Sequence, residues 1–161
     1  MMRRRYKREL YVQRVNKIKS LMPHCCIGVD VIVGFPGETE EDFLETYRFL
    51  NELDISYLHV FTYSERPKTL AHEMPDPIPM GERRRRNQML SILSEKKRRH
   101  FYEQHLGQTR PVLFEKSKTP GMMSGFTDNY VKVEAPLQVE WLNQTHMASL
   151  QEINDKCLVV V

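Results

Sequence analysis

Asp30 is the residue of this chain with the strongest claim on chemistry. It stands alone among Val29, Val31, Ile32 and Val33, just ahead of the corner Gly34-Phe35-Pro36-Gly37. An ionisable group in an apolar strand costs roughly several kcal/mol unless it is paired or hydrogen-bonded. A ligand hydroxyl or amine would supply that partner. Glycine and proline between a strand and a helix are also ordinary punctuation, so spacing alone leaves a structural turn and a ligand site both open. The corner is not a phosphate-cradling P-loop, because Glu38-Thr39 follows it where that chemistry needs Lys-Ser/Thr.

A second group lies far along the chain. Phe126, Tyr130 and Lys132 offer aromatic faces and a cation, the side-chain types that base stacking and phosphate contact require. Aromatics in a small β-domain also serve as core, and that alternative stands beside the first. Basic residues cluster from Arg3 to Arg8, from Arg83 to Arg86 and from Lys96 to Arg99 within a net charge of only +3. Such stripes suit a polyanion or, equally, a solvated helix face. Adjacent Cys25 and Cys26 and distant Cys157 fit neither a disulfide framework nor the spaced pairs of a zinc site, so reduced thiols are expected. No apolar run is long enough for a bilayer span and no signal peptide follows the basic start, which predicts a cytoplasmic protein without a membrane partner.

The elements that must position these residues follow from periodicity. Tyr11, Val15, Ile18 and Met22 recur at helical spacing and predict a helix from Tyr6 to Met22. The run from Ile27 to Gly34 predicts a strand buried on both faces. Thr39 with Asp42 three positions on forms a capping box for a helix from Glu40 to Leu53. Ser56 to Tyr63 predicts a second strand with His59, Phe61 and Tyr63 on one face, completing a parallel βαβ unit. Two strands make no stable sheet alone, so this half reads as the end of a larger α/β domain. Prolines 67, 75, 77 and 79 mark a connector, and a basic helix from Glu82 to His105 ends before Gly107. After it come short β-like runs: Pro111 to Glu115, a loop from Thr119 to Gly125, then Ser124 to Glu134, Gln138 to Leu142 and Lys156 to Val161. They predict a five-stranded OB-like barrel of a kind that commonly binds oligonucleotides. The fold class is therefore α/β plus a small all-β domain, divided as residues 1–80, a linking helix at 81–105 and a β-barrel at 106–161.

Taken together, MRRRY at residues 2–6, GVDVIVGFPGETEEDF at 28–43, YLHVFTYSERPKTLA at 57–71, LGQTRPVLFE from Leu106 and GFTDNYVKV from Gly125 resemble the radical-SAM methylthiotransferases. LHVF before Tyr63-Ser64 points to the branch acting on threonylcarbamoyl-adenosine beside the anticodon of tRNA. The resemblance implies the end of a partial (β/α) barrel closed over S-adenosylmethionine, followed by an RNA-binding TRAM domain. It implies that Arg4 meets the carboxylate of S-adenosylmethionine and that Asp30 meets its ribose or adenine edge. Val33, Gly34, Phe35 and Pro36 would reach the adenine through backbone groups, with Phe61 and Tyr63 as pocket walls. Arg110, Phe126, Asn129, Tyr130 and Lys132 would face the anticodon stem-loop.

The family's CxxxCxxC loop, which holds a [4Fe–4S] cluster, does not occur in this sequence. The resemblance thus implies the C-terminal portion of an enzyme, inactive alone and dependent on a missing N-terminal part. The competing reading is a non-catalytic RNA-binding module with an inert α/β scaffold, or a methylthiotransferase of another substrate branch.

Overall fold

The structure is a computed structural model that describes residues 7–161, so the expectation for Arg4 lies outside the described residues. The chain forms two compact units, one ending at Lys97 and one running from Arg98 to Val161.

The first unit begins with helix α1, Arg8–Leu21, whose Val15 is buried. Strand β1, Gly28–Val33, leads through the Gly-Pro corner into helix α2, Glu40–Glu52. The predicted capping box starts that helix: Asp42 N–H donates to Thr39 Oγ1 at 3.1 Å, and Thr39 N–H donates to Asp42 Oδ2 at 3.0 Å. Strand β2, Tyr57–Thr62, pairs with β1 in parallel, with Gly28 beside Tyr57, Asp30 beside His59 and Ile32 beside Phe61. Helix α3, Met80–Glu103, follows the proline-rich connector. Phe43 and Leu50 of α2, Val33 and Leu58 of the sheet, and Leu90 and Leu93 of α3 close one apolar core.

The two edges of this sheet are finished differently. On β2 the edge is covered by polar side chains of α3. Ser94 Oγ accepts the Leu58 N–H at 2.8 Å and donates to the Leu58 carbonyl at 2.9 Å, while Asn87 Nδ2 donates to the Val60 carbonyl at 3.2 Å. Buried main-chain groups need such partners. Lys97 adds a lock on the same side of the core, donating to the Asn51 and Leu53 carbonyls at the C-terminus of α2, where a cation is favoured. On β1 no described strand pairs with the second edge.

β1 is covered on one face only, which corrects the expectation of a strand buried on both. Val29, Val31 and Val33 turn toward the core, while Gly28, Asp30 and Ile32 are exposed.

In the second unit six strands form one mixed sheet in the order β6-β3-β4-β5-β8-β7. They are β3, Thr109–Lys116; β4, Met122–Thr127; β5, Lys132–Pro136; β6, Thr145–Ser149; β7, Glu152–Ile153; and β8, Val159–Val160. β3, β4, β5 and β6 pair antiparallel, and β5 with β8 is parallel. Val112, Phe114, Met123, Val131, Val133, Leu150 and Val159 are fully buried beneath it.

Three expectations are corrected here, the first being the loop from Thr119 to Gly125, since β4 already begins at Met122. Ser124 to Glu134 is not one strand but two, folded back at a tight turn through Asp128 and Asn129. Gln138 to Leu142 is not a strand either, since Val139–Trp141 is a 3-10 turn and the strand comes after it as β6. No helix of the described residues is long and apolar enough to cross a membrane.

Candidate functional site

In the first unit, the sheet face turned away from the core carries Asp30 and Phe61 of the expected cofactor residues. Alternation places Gly28, Asp30 and Ile32 on it beside Tyr57, His59 and Phe61. The Tyr57 ring lies over Gly28, where a Cβ would come within 2.5 Å of the ring, and meets the His59 ring edge-on at 5.0 Å. Asp30 is exposed there, and its carboxylate forms no hydrogen bond or ion pair with a described residue. Asp30 is therefore not the buried acid in need of a partner that its apolar neighbours suggest. Water solvates this charge, and the group is available rather than trapped. A cavity of about 850 Å³ follows the unpaired edge of β1, lined by Asp30, Tyr57 and His59 from one side and by Arg8, Tyr11 and Thr46 from the other.

The corner beyond β1 is held from inside. Gly34 has φ +79°, and a Cβ there would fall 2.4 Å from Cγ of Arg83, so glycine is required twice over. The Gly34 N–H donates to the Glu38 carboxylate, which also accepts from Arg86 Nη1 at 3.1 Å. The Val33 carbonyl accepts the Tyr63 N–H at 2.8 Å and the Phe35 carbonyl accepts the Glu38 N–H at 3.0 Å. Three of the main-chain groups expected to serve an adenine are therefore engaged within the chain. The rings of Phe35 and Tyr63 meet edge-on at 5.3 Å, and Tyr63 Oη is buried without a partner among the described residues. Phe61 is 52% exposed.

Arg83 and Arg86, only 3% and 4% exposed, fix this corner to α3. Arg83 pairs with Glu65 and donates to the carbonyls of Ile78 at 2.7 Å and Tyr63 at 3.0 Å. Arg86 pairs with Glu38 and Glu82, and Arg85 with Glu40 and Glu82. The hydrogen bond from Arg85, then that from Arg86, holds the Glu82 carboxyl down at about 2. Three of the arginines expected to face a polyanion are thus spent on internal carboxylates. Lys97 is committed to main-chain carbonyls and Arg99 pairs with Glu103, which leaves Arg84 and Lys96 exposed and Arg98 half-buried.

In the second unit the register carries Leu113, Phe126 and Lys132 side by side across β3, β4 and β5. Phe126 and Tyr130 stack at 4.7 Å with 27° between their planes, and Lys132 Nζ lies 5.9 Å from the Phe126 centroid. Arg110 and Asn129 are placed differently. The Arg110 guanidinium grips both Asp128 oxygens, at 2.9 and 3.1 Å, and holds that carboxyl below its ordinary range. Asn129 is 8% exposed and accepts from Thr127 Oγ1 at 2.6 Å.

Tyr57 and His59, which line this face and its cavity, were not among the residues that the motifs singled out. The signal was present, since the two-residue alternation already set His59 on the face of Phe61 and Tyr63.

No family model matches the chain. It is 40% identical over 136 residues to the threonylcarbamoyladenosine tRNA methylthiotransferase of Bacillus subtilis, a match covering 82% of this chain and 30% of that protein. With the protein of the same name from Aquifex aeolicus the identity is 42% over 83% of this chain and 32% of the relative. A tRNA-2-methylthio-N(6)-dimethylallyladenosine synthase from Pelotomaculum thermopropionicum is also 42% identical, over 78% of this chain and 28% of its own length. The chain, which spans about a third of the length of these relatives, belongs to the tRNA methylthiotransferase family.

Proposed function

We propose that the chain is the C-terminal part of a radical-SAM tRNA methylthiotransferase, carrying one wall of the S-adenosylmethionine pocket together with the RNA-binding module. The observation that carries this reading is the Asp30 carboxylate, exposed on the sheet face away from the core, without a partner among the described residues and flanked by the rings of Tyr57 and His59. A carboxylate accepts from two neighbouring ribose hydroxyls, and aromatic edges suit the nucleoside beside them. The residues present therefore fit the cofactor's nucleoside end. When bound to a [4Fe–4S] cluster, S-adenosylmethionine supplies the radical chemistry that replaces C–H by C–S–CH₃.

The work of this chain's own residues is positioning. Asp30 orients the sugar, Tyr57 and His59 border it, and the Phe35–Tyr63 edge closes the end of the sheet. Arg83 and Arg86 keep the Gly34 corner from drifting. The cluster thiolates, in this reading, come from the two thirds of the relatives' length that the chain does not span.

The substrate proposed is tRNA, at threonylcarbamoyl-adenosine beside the anticodon, in a cytoplasmic setting. The names of the Bacillus and Aquifex relatives and the LHVF stretch of β2 support that branch. Calorimetric titration with S-adenosylmethionine tests the pocket. Saturable weak binding is expected from the chain, reduced in Asp30→Asn and lost in Asp30→Ala. Binding indifferent to both substitutions, or none at all, would leave the α/β unit as scaffold.

A further inference from the structure

Tyr130 sits where a folding argument would put glycine. The chain turns from β4 to β5 through Thr127, Asp128 and Asn129 and then passes Tyr130 at φ +72°. A tight turn followed by one left-handed residue is the pattern of a hairpin with a bulge, and glycine is the usual occupant of that last place. Tyrosine there strains the backbone, yet 56% of it remains exposed, so its ring adds little to the core. What the ring does is stack on Phe126, itself 38% exposed, with Lys132 Nζ 5.9 Å from the Phe126 centroid.

The turn beneath is unusually well tied. Tyr130 N–H donates to the Thr127 carbonyl at 3.0 Å, Thr127 N–H donates to the Val131 carbonyl at 2.9 Å, and Val131 N–H donates to Thr127 Oγ1 at 2.8 Å. Thr127 Oγ1 in turn donates to the buried Asn129, and Arg110 clamps Asp128 from β3. These bonds account for Arg110 and Asn129 as supports beneath the ring rather than as ligand contacts.

We propose that Tyr130 and Phe126 form a preorganised stacking platform for an unpaired RNA base, with Lys132 taking one adjacent phosphate and Arg110, Asp128, Thr127 and Asn129 acting as positioning residues. This rests on the reading of the second unit as RNA-binding and names what that unit recognises. Charge supports stacking over a phosphate track. Residues 98–161 carry seven Lys or Arg against seven Asp or Glu, and two of those cations, Arg99 and Arg110, are already ion-paired. A single phosphate contact to a single strand gives a logarithmic salt slope of about −0.7, far shallower than a basic groove would give.

The test uses the 161-residue chain with a hairpin RNA carrying 2-aminopurine in its unpaired loop, and a blunt duplex of the same stem. Expected are preferential hairpin binding, quenching of the loop fluorophore and a salt slope of about −0.7. Tyr130→Phe should bind within about twofold of the parent, whereas Tyr130→Gly should lose about tenfold in affinity, as for one stacked base, while melting no lower than the parent. Full affinity in Tyr130→Gly, or an unquenched fluorophore, overturns the platform. If the parent binds the hairpin with a steep salt slope and Tyr130 is immaterial, RNA binding stands and the platform falls. If the parent binds neither RNA, the RNA reading fails and takes the platform with it.

Discussion

At Gly34 two independent constraints meet in one residue, a left-handed backbone and the aliphatic stem of a buried arginine where a Cβ would go. Gly34→Ala is therefore expected to destabilise the first unit by about 2 kcal/mol or more, read as a lower urea midpoint, with both strain and steric displacement contributing. Tyr130 is the opposite case, a left-handed position held by a bulky side chain whose ring is stacked on Phe126 and more than half exposed. The contrast separates glycine kept for folding from tyrosine kept for an outward task. Asp30 carries a related lesson. Its place in a Val-Ile-Val run reads as burial, but side chains two apart share a face, and the exposed face of β1 holds Gly28 and Ile32 as well. The sequence singled out this carboxylate through burial, and the structure replaces burial with exposure.

At the scale of elements, the first turn of α3 behaves as a clasp of arginines and carboxylates. The sign of its pH dependence follows from Glu82, whose carboxyl falls from an ordinary 4.5 to about 2 in the folded chain. Between those values the unfolded chain binds the proton and the folded chain does not, so stability rises with pH across that window. The contribution of Glu82 is fully present above pH 4.5 and drains away as the pH falls toward 2. Glu65 and Asp42 are shifted in the same direction, by Arg83 and by Thr39. Melting temperatures taken from pH 5 to pH 2 should decline, and Glu82→Gln should flatten that decline; an unchanged slope in the variant would remove Glu82 from the account.

The helices and the βαβ unit were legible in the sequence because apolar periodicity, a capping box and a Gly-Pro corner all agree over residues 8–62. The basic run of α3 was legible as helix but not as clasp, since its carboxylate partners at Glu38, Glu40 and Glu65 are remote in sequence. The hairpin at 127–131 was hidden for a simpler reason. Alternation of Tyr130-Val131-Lys132-Val133 continues through the bulge, and the glycine that normally announces such a turn is absent.

For the whole molecule, fold class and family were both readable from the residues, while the way charge is spent was not. All of the formal +3 belongs to residues 1–97, because residues 98–161 balance. Family membership adds that this chain accounts for about a third of a relative's length, and the β1–β2 sheet shows what that means physically. One of its borders is sealed by Ser94 and Asn87, and the other ends beside a cavity with no described strand alongside. Deuterium should therefore enter the sheet from one side. The amides of Asp30 and Ile32 are expected to exchange early and that of Leu58 late, a directional pattern readable by NMR. Supplying in trans a segment that pairs with β1 should slow the former while leaving the latter as it was. Equal uptake on the two strands would mean that the bare border is already occupied in solution, by another copy of the same chain.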